Sequence, residues 1–216
     1  MGLGFVLLAH LILLFIASLI IAVVAAIITF IASRKKRKTL LAFCLPFVFL
    51  FSLYFSGLIG SIIVSETKNV DIGIGDAWYA PICDSCNVMM IDVTHIGYIN
   101  CCNGIDIDEI TELQQYFDTV IAGKTADKFF VLNLNNKEVK YYYSEQELIE
   151  NAGTDGHDFL KIYDFYAKKY RQAVGILMII VGIISLIISI LVSFLFSKIF
   201  LFIINKFVSL LQKNRK

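Results

Sequence analysis

Three stretches of this chain, Met1 to Ser33, Thr39 to Ser65 and Ala173 to Ser197, contain no Asp, Glu, Lys or Arg. A helix needs about 20 apolar residues, rising about 1.5 Å each, to cross the hydrocarbon of a bilayer. Each stretch is long enough, so the sequence predicts a membrane protein with three spans. The first stretch has no basic residue ahead of it and is far longer than the apolar core of a signal peptide, so it is expected to be retained as a span.

Charge divides the chain in the same places. All 18 acidic residues lie between Glu66 and Asp164, inside a segment, 65–172, whose nine Lys and Arg leave a surplus of nine negative charges. The flanks carry only bases: Arg34-Lys35-Lys36-Arg37-Lys38 between the first two spans, and Lys198, Lys206, Lys213, Arg215 and Lys216 at the end. Short basic loops stay on the cytoplasmic side. The expected order is therefore a span at 1–33, a basic cytoplasmic loop at 34–38, a span at 39–65, an extracytoplasmic domain at 66–172, a span at 173–197 and a basic amphipathic cytoplasmic tail at 198–216. The amino terminus is then outside, and lipid on both sides of Arg34–Lys38 argues against a nucleic-acid patch. In the tail, Lys198, Asn205 and Lys206 alternate with Phe200, Ile203, Phe207 and Leu210, which predicts a helix that turns to lie along the inner surface.

No acidic or basic side chain sits deep in a span, and transporters, proton relays and voltage sensors need such charges. His10 is the one histidine there and reads as a packing residue. Small residues recur four apart at Ser18, Ala22 and Ala26, at Ala25, Thr29 and Ser33, and at Ser185, Ser189, Ser193 and Ser197. Such stripes let helices approach closely, either within the chain or in a homo-oligomer. Pro46 and the Gly57/Gly60 pair are places where the second span can bend.

The segment between the second and third spans is expected to be one small α+β domain. Val88 to Thr94, Phe129 to Asn133 and Val139 to Tyr143 have the branched and aromatic content of strands, the last two joined through Asn135-Asn136-Lys137 as a hairpin. Asp106 and Glu109 open what reads as a helix with Ile110, Leu113, Phe117 and Val120 on one face, ending near Gly123. Ser144 followed by Glu147 is a capping box for a second helix ending near Gly153. From Asp158 the spacing of Phe159, Ile162, Tyr163, Tyr166 and Tyr170 predicts a helix continuous with the third span, with Tyr166, Lys168, Lys169, Tyr170 and Arg171 at the outer membrane interface.

Cys83, Cys86, Cys101 and Cys102 lie in this domain, and Cys44 lies in a span. An even number of cysteines in an oxidising compartment predicts about two structural disulfides in one of three pairings, of which cross-pairing between the two groups would tie strand ends together. A zinc site and a Cys83/Cys86 redox couple are the alternatives. Adjacent cysteines chelate awkwardly, and exchange motifs normally sit at a helix start, whereas a strand-like run follows Cys86.

No signature of a catalytic residue, metal or cofactor is legible. The Gly73-Ile74-Gly75 run precedes no phosphate-binding helix, Asp106, Asp108 and Glu109 lack calcium-loop spacing, and His95 and His157 have no nucleophile beside them. Trp78 and Tyr79, with the acids Asp155 and Asp158, are the candidates for a partner surface. The absence of any Asn-x-Ser/Thr sequon favours a bacterial envelope. The expectation is thus a non-enzymatic protein of the bacterial inner membrane whose acidic periplasmic domain binds another protein, as an immunity-type protector or an accessory subunit. The alternatives are a periplasmic thiol-disulfide oxidoreductase using Cys83 and Cys86, and a membrane-anchored sensor.

Overall fold

A computed structural model of the protein describes residues 3–74, 76–102, 104–116, 119–152 and 159–213, without the side chains of 3, 152 and 207–213. Three of its helices are long and apolar enough to cross a membrane, with mean hydropathies of 3.3, 2.2 and 3.1 in their most apolar windows. They flank an inserted α+β domain that contains a disulfide. The chain divides into two compact units, one built on Val64–Gly175 and the other on Gly4–Ile63 with the chain from Ile176 onward.

The apolar unit is built from α1 (Leu3–Ser33), most of α2 (Lys36–Lys68) and the greater part of α4 (Ile162–Lys213). Among the described residues it contains no carboxylate side chain. Two of its small-residue stripes are buried in part inside this single chain: Ser18, Ala22 and Ser189 are fully covered and Ser185 nearly so. The hydroxyl of Ser189 donates to the Phe49 carbonyl at 2.6 Å and lies 3.0 Å from Ser52 Oγ, joining α4 to α2. A Cβ on Gly60 would come within 2.5 Å of Val181, so glycine is what lets these two helices approach there. Tyr54 Oη lies 3.4 Å from His10 Nδ1, which accounts for the lone histidine as a packing side chain.

Two expectations about these helices are corrected. The helix of the second span begins at Lys36 rather than Thr39, so only Arg34, with φ of 51°, and Lys35 form the connection. Three cations thereby fall in the first turn of α2, at the positive end of its dipole. Nor does the chain turn after Ser197. α4 runs unbroken to Lys213, because no Pro or Gly follows Gly182 to interrupt its i→i−4 ladder. α2 is likewise continuous through Pro46.

The inserted unit is an eight-stranded antiparallel sheet in which β1 (Ala77–Cys83) to β7 (Glu138–Tyr142) follow one another as a meander. Between them lie β2 (Cys86–Ile91), β3 (Gly97–Cys101), β4 (Ile105–Tyr116), β5 (Val120–Thr125) and β6 (Phe129–Asn133). After β7 comes the helix α3 (Glu145–Ala152), capped as expected: Ser144 Oγ accepts the Glu147 amide at 3.1 Å, and the Glu147 carboxylate accepts the Tyr143 amide at 2.9 Å. The short β8 (Leu160–Lys161) pairs with β4 and leads straight into α4. The first turns of α4 contribute Ile162, Phe165 and Tyr166 to the core, against Val88, Met90, Ile99, Ile110, Leu113, Phe130 and Leu132.

The helix expected from Asp106 is instead β4 and the start of β5. Ile107, Ile110 and Leu113 are all buried, and their three-residue spacing mimics a helical face. Two irregularities produce it. β4 carries one extra residue between Ile107 and Ile110 against β3, where Glu109 takes a φ of 57°, and another between Ile110 and Glu112 against β5. Each extra residue shifts a period of two to a local period of three. Phe117, from the same expectation, lies outside the described residues, as does Gly153.

Candidate thiol-disulfide site

The cysteines of the domain gather at one end of the sheet. β1 and β2 form a hairpin closed by Asp84 and Ser85, with Cys83 and Cys86 as register partners. Cys86 is also the register partner of Cys101 on β3, and these two are joined by a disulfide with a Cα–Cα distance of 4.1 Å. Cys102 follows β3, and its amide donates to the Ser85 carbonyl at 2.8 Å, which fastens it to the hairpin turn.

The sulfurs differ in accessibility. Cys86 and Cys101 are 1% and 2% exposed. Cys83 is half-buried against the core to which both belong, its Sγ lying 3.7 Å from Ser85 Oγ, and Cys102 is exposed. Both are free thiols. The expectation of about two disulfides is therefore corrected to one among the described residues, of the cross-paired kind that joins neighbouring strands. One bulge explains why Cys83 is left beside it. The register shifts between Pro81 and Cys83, so Ile82 is unpaired and Cys83 is brought opposite Cys86, whose other neighbour already holds its sulfur. A four-thiolate zinc site is ruled out in this state, since two of its sulfurs are bonded to each other. Among the described residues no three His, Cys, Asp or Glu side chains are grouped to hold a metal.

The partner-surface candidates are placed differently. Trp78 and Tyr79 lie on β1, and Trp78 is partly buried against the core rather than displayed. Asp155 and Asp158 lie outside the described residues, as does His157. His95 is exposed and lines a cleft of about 400 Å³ with Thr94, Thr111, Glu112, Lys161, Tyr163 and Asp164.

Sequence reasoning missed a second polar centre. Asp71, 4% exposed, accepts the Tyr166 hydroxyl at 2.6 Å, the Tyr79 amide at 3.1 Å and the Gly73 amide at 2.7 Å. Beside it, the Ser65 hydroxyl donates to the Val70 carbonyl at 2.5 Å. Tyr166, expected at a membrane interface, is thus a core residue of the domain, 6% exposed, and Tyr170 also packs against that core. The only sequence signal was an acid within an Ile and Gly run, with nothing to indicate a partner 95 residues away.

Burial, followed by donation to Asp71, pushes the Tyr166 phenol well above its ordinary value of 10.0. Burial and the nearby Asp71 charge push Tyr170 the same way. The folded protein holds Tyr166 neutral, whereas the unfolded chain ionises it near pH 10. Its stabilisation is therefore complete below that pH and declines as the pH rises above it. Tyr166→Phe is expected to cost about 2 kcal/mol at neutral pH, as for a hydrogen bond to a charged group. It should also flatten the loss of stability between about pH 9 and 11. Denaturation curves across that range check both, and an unchanged alkaline slope in the variant contradicts the assignment.

No family model matches the chain, and no curated protein or solved structure matches it.

Proposed function

We propose that this is a membrane-anchored thiol-disulfide exchange protein whose inserted domain faces an oxidising compartment outside the cytoplasm. One observation carries the reading: a buried disulfide has a free, half-accessible thiol, Cys83, as the register partner of one of its two sulfur-bearing residues. Cys83 and Cys86 project from the same face of adjoining strands, where opposed side chains are neighbours. An outside thiol has no direct path to Cys86 or Cys101, and Cys83 supplies one.

The exchange balances without a further oxidant. Cys83 gives its proton to water and its thiolate attacks Sγ of Cys86. The Cys83–Cys86 bond forms as Cys86–Cys101 breaks, and Cys101 leaves as a thiolate that takes up a proton. An outside thiol then attacks Sγ of Cys83 and releases Cys86. A second outside thiol attacks the outer sulfur of that mixed disulfide and leaves bonded to the first. Two electrons pass from two outside thiols to the protein pair, and the reverse sequence oxidises the protein again. No helix start adjoins these cysteines, so the thiolate lacks the dipole stabilisation that fast oxidoreductases use. The reading is therefore of slow exchange, suited to a redox-responsive domain.

The anchoring follows the charge pattern: amino terminus and domain outside, Arg34–Lys38 and the carboxy terminus in the cytoplasm of a bacterial cell. Partner binding through the acidic surface has weaker support, because Trp78 is partly enclosed by the core.

Exchange is tested on the full chain in detergent, purified without reductant and treated with reduced glutathione. Alkylation and peptide mapping follow each bond with time. The wild type should pass through a Cys83–Cys86 species with Cys101 free. Cys83→Ser should slow the reduction of Cys86–Cys101 at least about tenfold, as expected when attack must await opening of the buried bond. Equal rates in the two proteins, or a Cys83–Cys102 bridge in the untreated wild type, would overturn the proposal.

A further inference from the structure

Where α1 ends and α2 begins, a cleft of about 500 Å³ lies between the helices, walled by Ala26 and Phe30 on one side and Leu40 and Phe43 on the other, with Lys36 and Thr39 at its lip. We infer that this cleft holds one acyl chain of a phospholipid whose anionic phosphate is paired with Lys36.

Three observations lead to that occupant. The walls are almost wholly hydrocarbon, with Phe30 54% and Leu40 50% exposed, so water filling the cleft would find few partners and a hydrocarbon chain would cover them. Arg34 and Lys35, which join the two helices, mark an end of two spans and so the headgroup level of the bilayer, which puts the lip at the depth of lipid phosphates.

The third observation is charge. Five cations are consecutive at Arg34–Lys38, three of them in the first turn of α2, and no Asp or Glu occurs before Glu66 or after Asp164. Arg37 donates to the Asn205 side-chain carbonyl at 2.9 Å, a neutral acceptor that orders the guanidinium without neutralising it. The negative charge that balances this lip comes from outside the chain. A molecule joining an anion to a hydrocarbon chain at this depth is an anionic phospholipid, and basic sites between spans bind such headgroups.

Native mass spectrometry of the full chain in detergent tests this, with phosphatidylglycerol and phosphatidylcholine of identical acyl chains added in equal amounts. The wild type should retain phosphatidylglycerol as its first bound lipid. Lys36→Gln should reduce that preference about fivefold, the effect of one Lys near an anionic surface. Ala26→Trp, which fills the cleft and keeps every charge, should reduce retention of both lipids, and circular dichroism should show both variants as helical as the wild type. Equal retention of the two lipids by the wild type overturns the inference. So does unchanged retention by either helical variant, or displacement of the lipid by an equal concentration of glycerol phosphate, which would assign the lip to a soluble anion. Should Ala26→Trp lose helicity, Phe30→Ala, which removes a wall, must lower retention of both lipids for the inference to stand.

Discussion

Replacing Phe130 with Ala is expected to destabilise the inserted domain by about 3–5 kcal/mol, the cost of emptying the site of a large buried aromatic side chain. Phe130 is fully buried, and its ring lies over Gly123, its register partner on β5. A Cβ on Gly123 would strike both that ring and Leu113, so the absence of a side chain there is what makes room for the ring. The surroundings belong to a sheet and to the start of a long helix, which limits how far they can close over the void. Since small domains are stable by only about 5–15 kcal/mol, the variant loses a large part of the total. Trp78, the single tryptophan, lies in this domain and reports its unfolding in denaturant. A shift corresponding to less than about 1 kcal/mol would place Phe130 outside a close-packed core.

Cys101→Ser is expected to cost a further large amount, about 3 kcal/mol, because the bridge closes a loop between residues 15 apart. Reducing the wild type with dithiothreitol should produce a loss of the same size. Cys83→Ser, which leaves the bridge in place, should change stability by less than about 1 kcal/mol. These outcomes separate the structural weight of the bridge from the exchange chemistry assigned to its neighbour. In Cys101→Ser, oxidised glutathione should produce a Cys83–Cys86 bond detectable by peptide mapping. Its failure to form would mean that the two sulfurs do not meet, and with it the relay would fall, whatever the stability data show.

What the sequence revealed and concealed follows from the range of the interactions involved. The three spans were legible because the cost of burying charge in lipid acts residue by residue and leaves long uncharged runs. The capping box at Ser144 and Glu147 was legible because both of its hydrogen bonds are local. β6 and β7 announced themselves through the branched and aromatic content of Phe129–Asn133 and Val139–Tyr143, and the strands observed are Phe129–Asn133 and Glu138–Tyr142. β4 did not, because its bulges are settled by pairing with β3 on one side and β5 on the other, and neither partner is encoded in its own residues. At the candidate site, a disulfide was foreseeable from the number of cysteines, while three pairings stood open. That Cys83 remains free depends on the slip at Ile82, which only the folded hairpin reveals. The link between Asp71 and Tyr166 was hidden for the same reason, as was the role of Tyr166, whose aromatic neighbours resemble a membrane-interface belt when read along the chain.

The bond from Tyr166 to Asp71 has a consequence for how such a chain is put together. It joins a residue near the start of the domain to one near its end, so the segments by which the chain enters and leaves the fold meet within it. A folded module with adjoining ends can be inserted into a chain, or exchanged for a tight turn, without drawing apart the segments on either side. By this measure the domain is a detachable insert, and a protein that kept the three apolar helices but carried a short turn in its place would need no new path for its backbone.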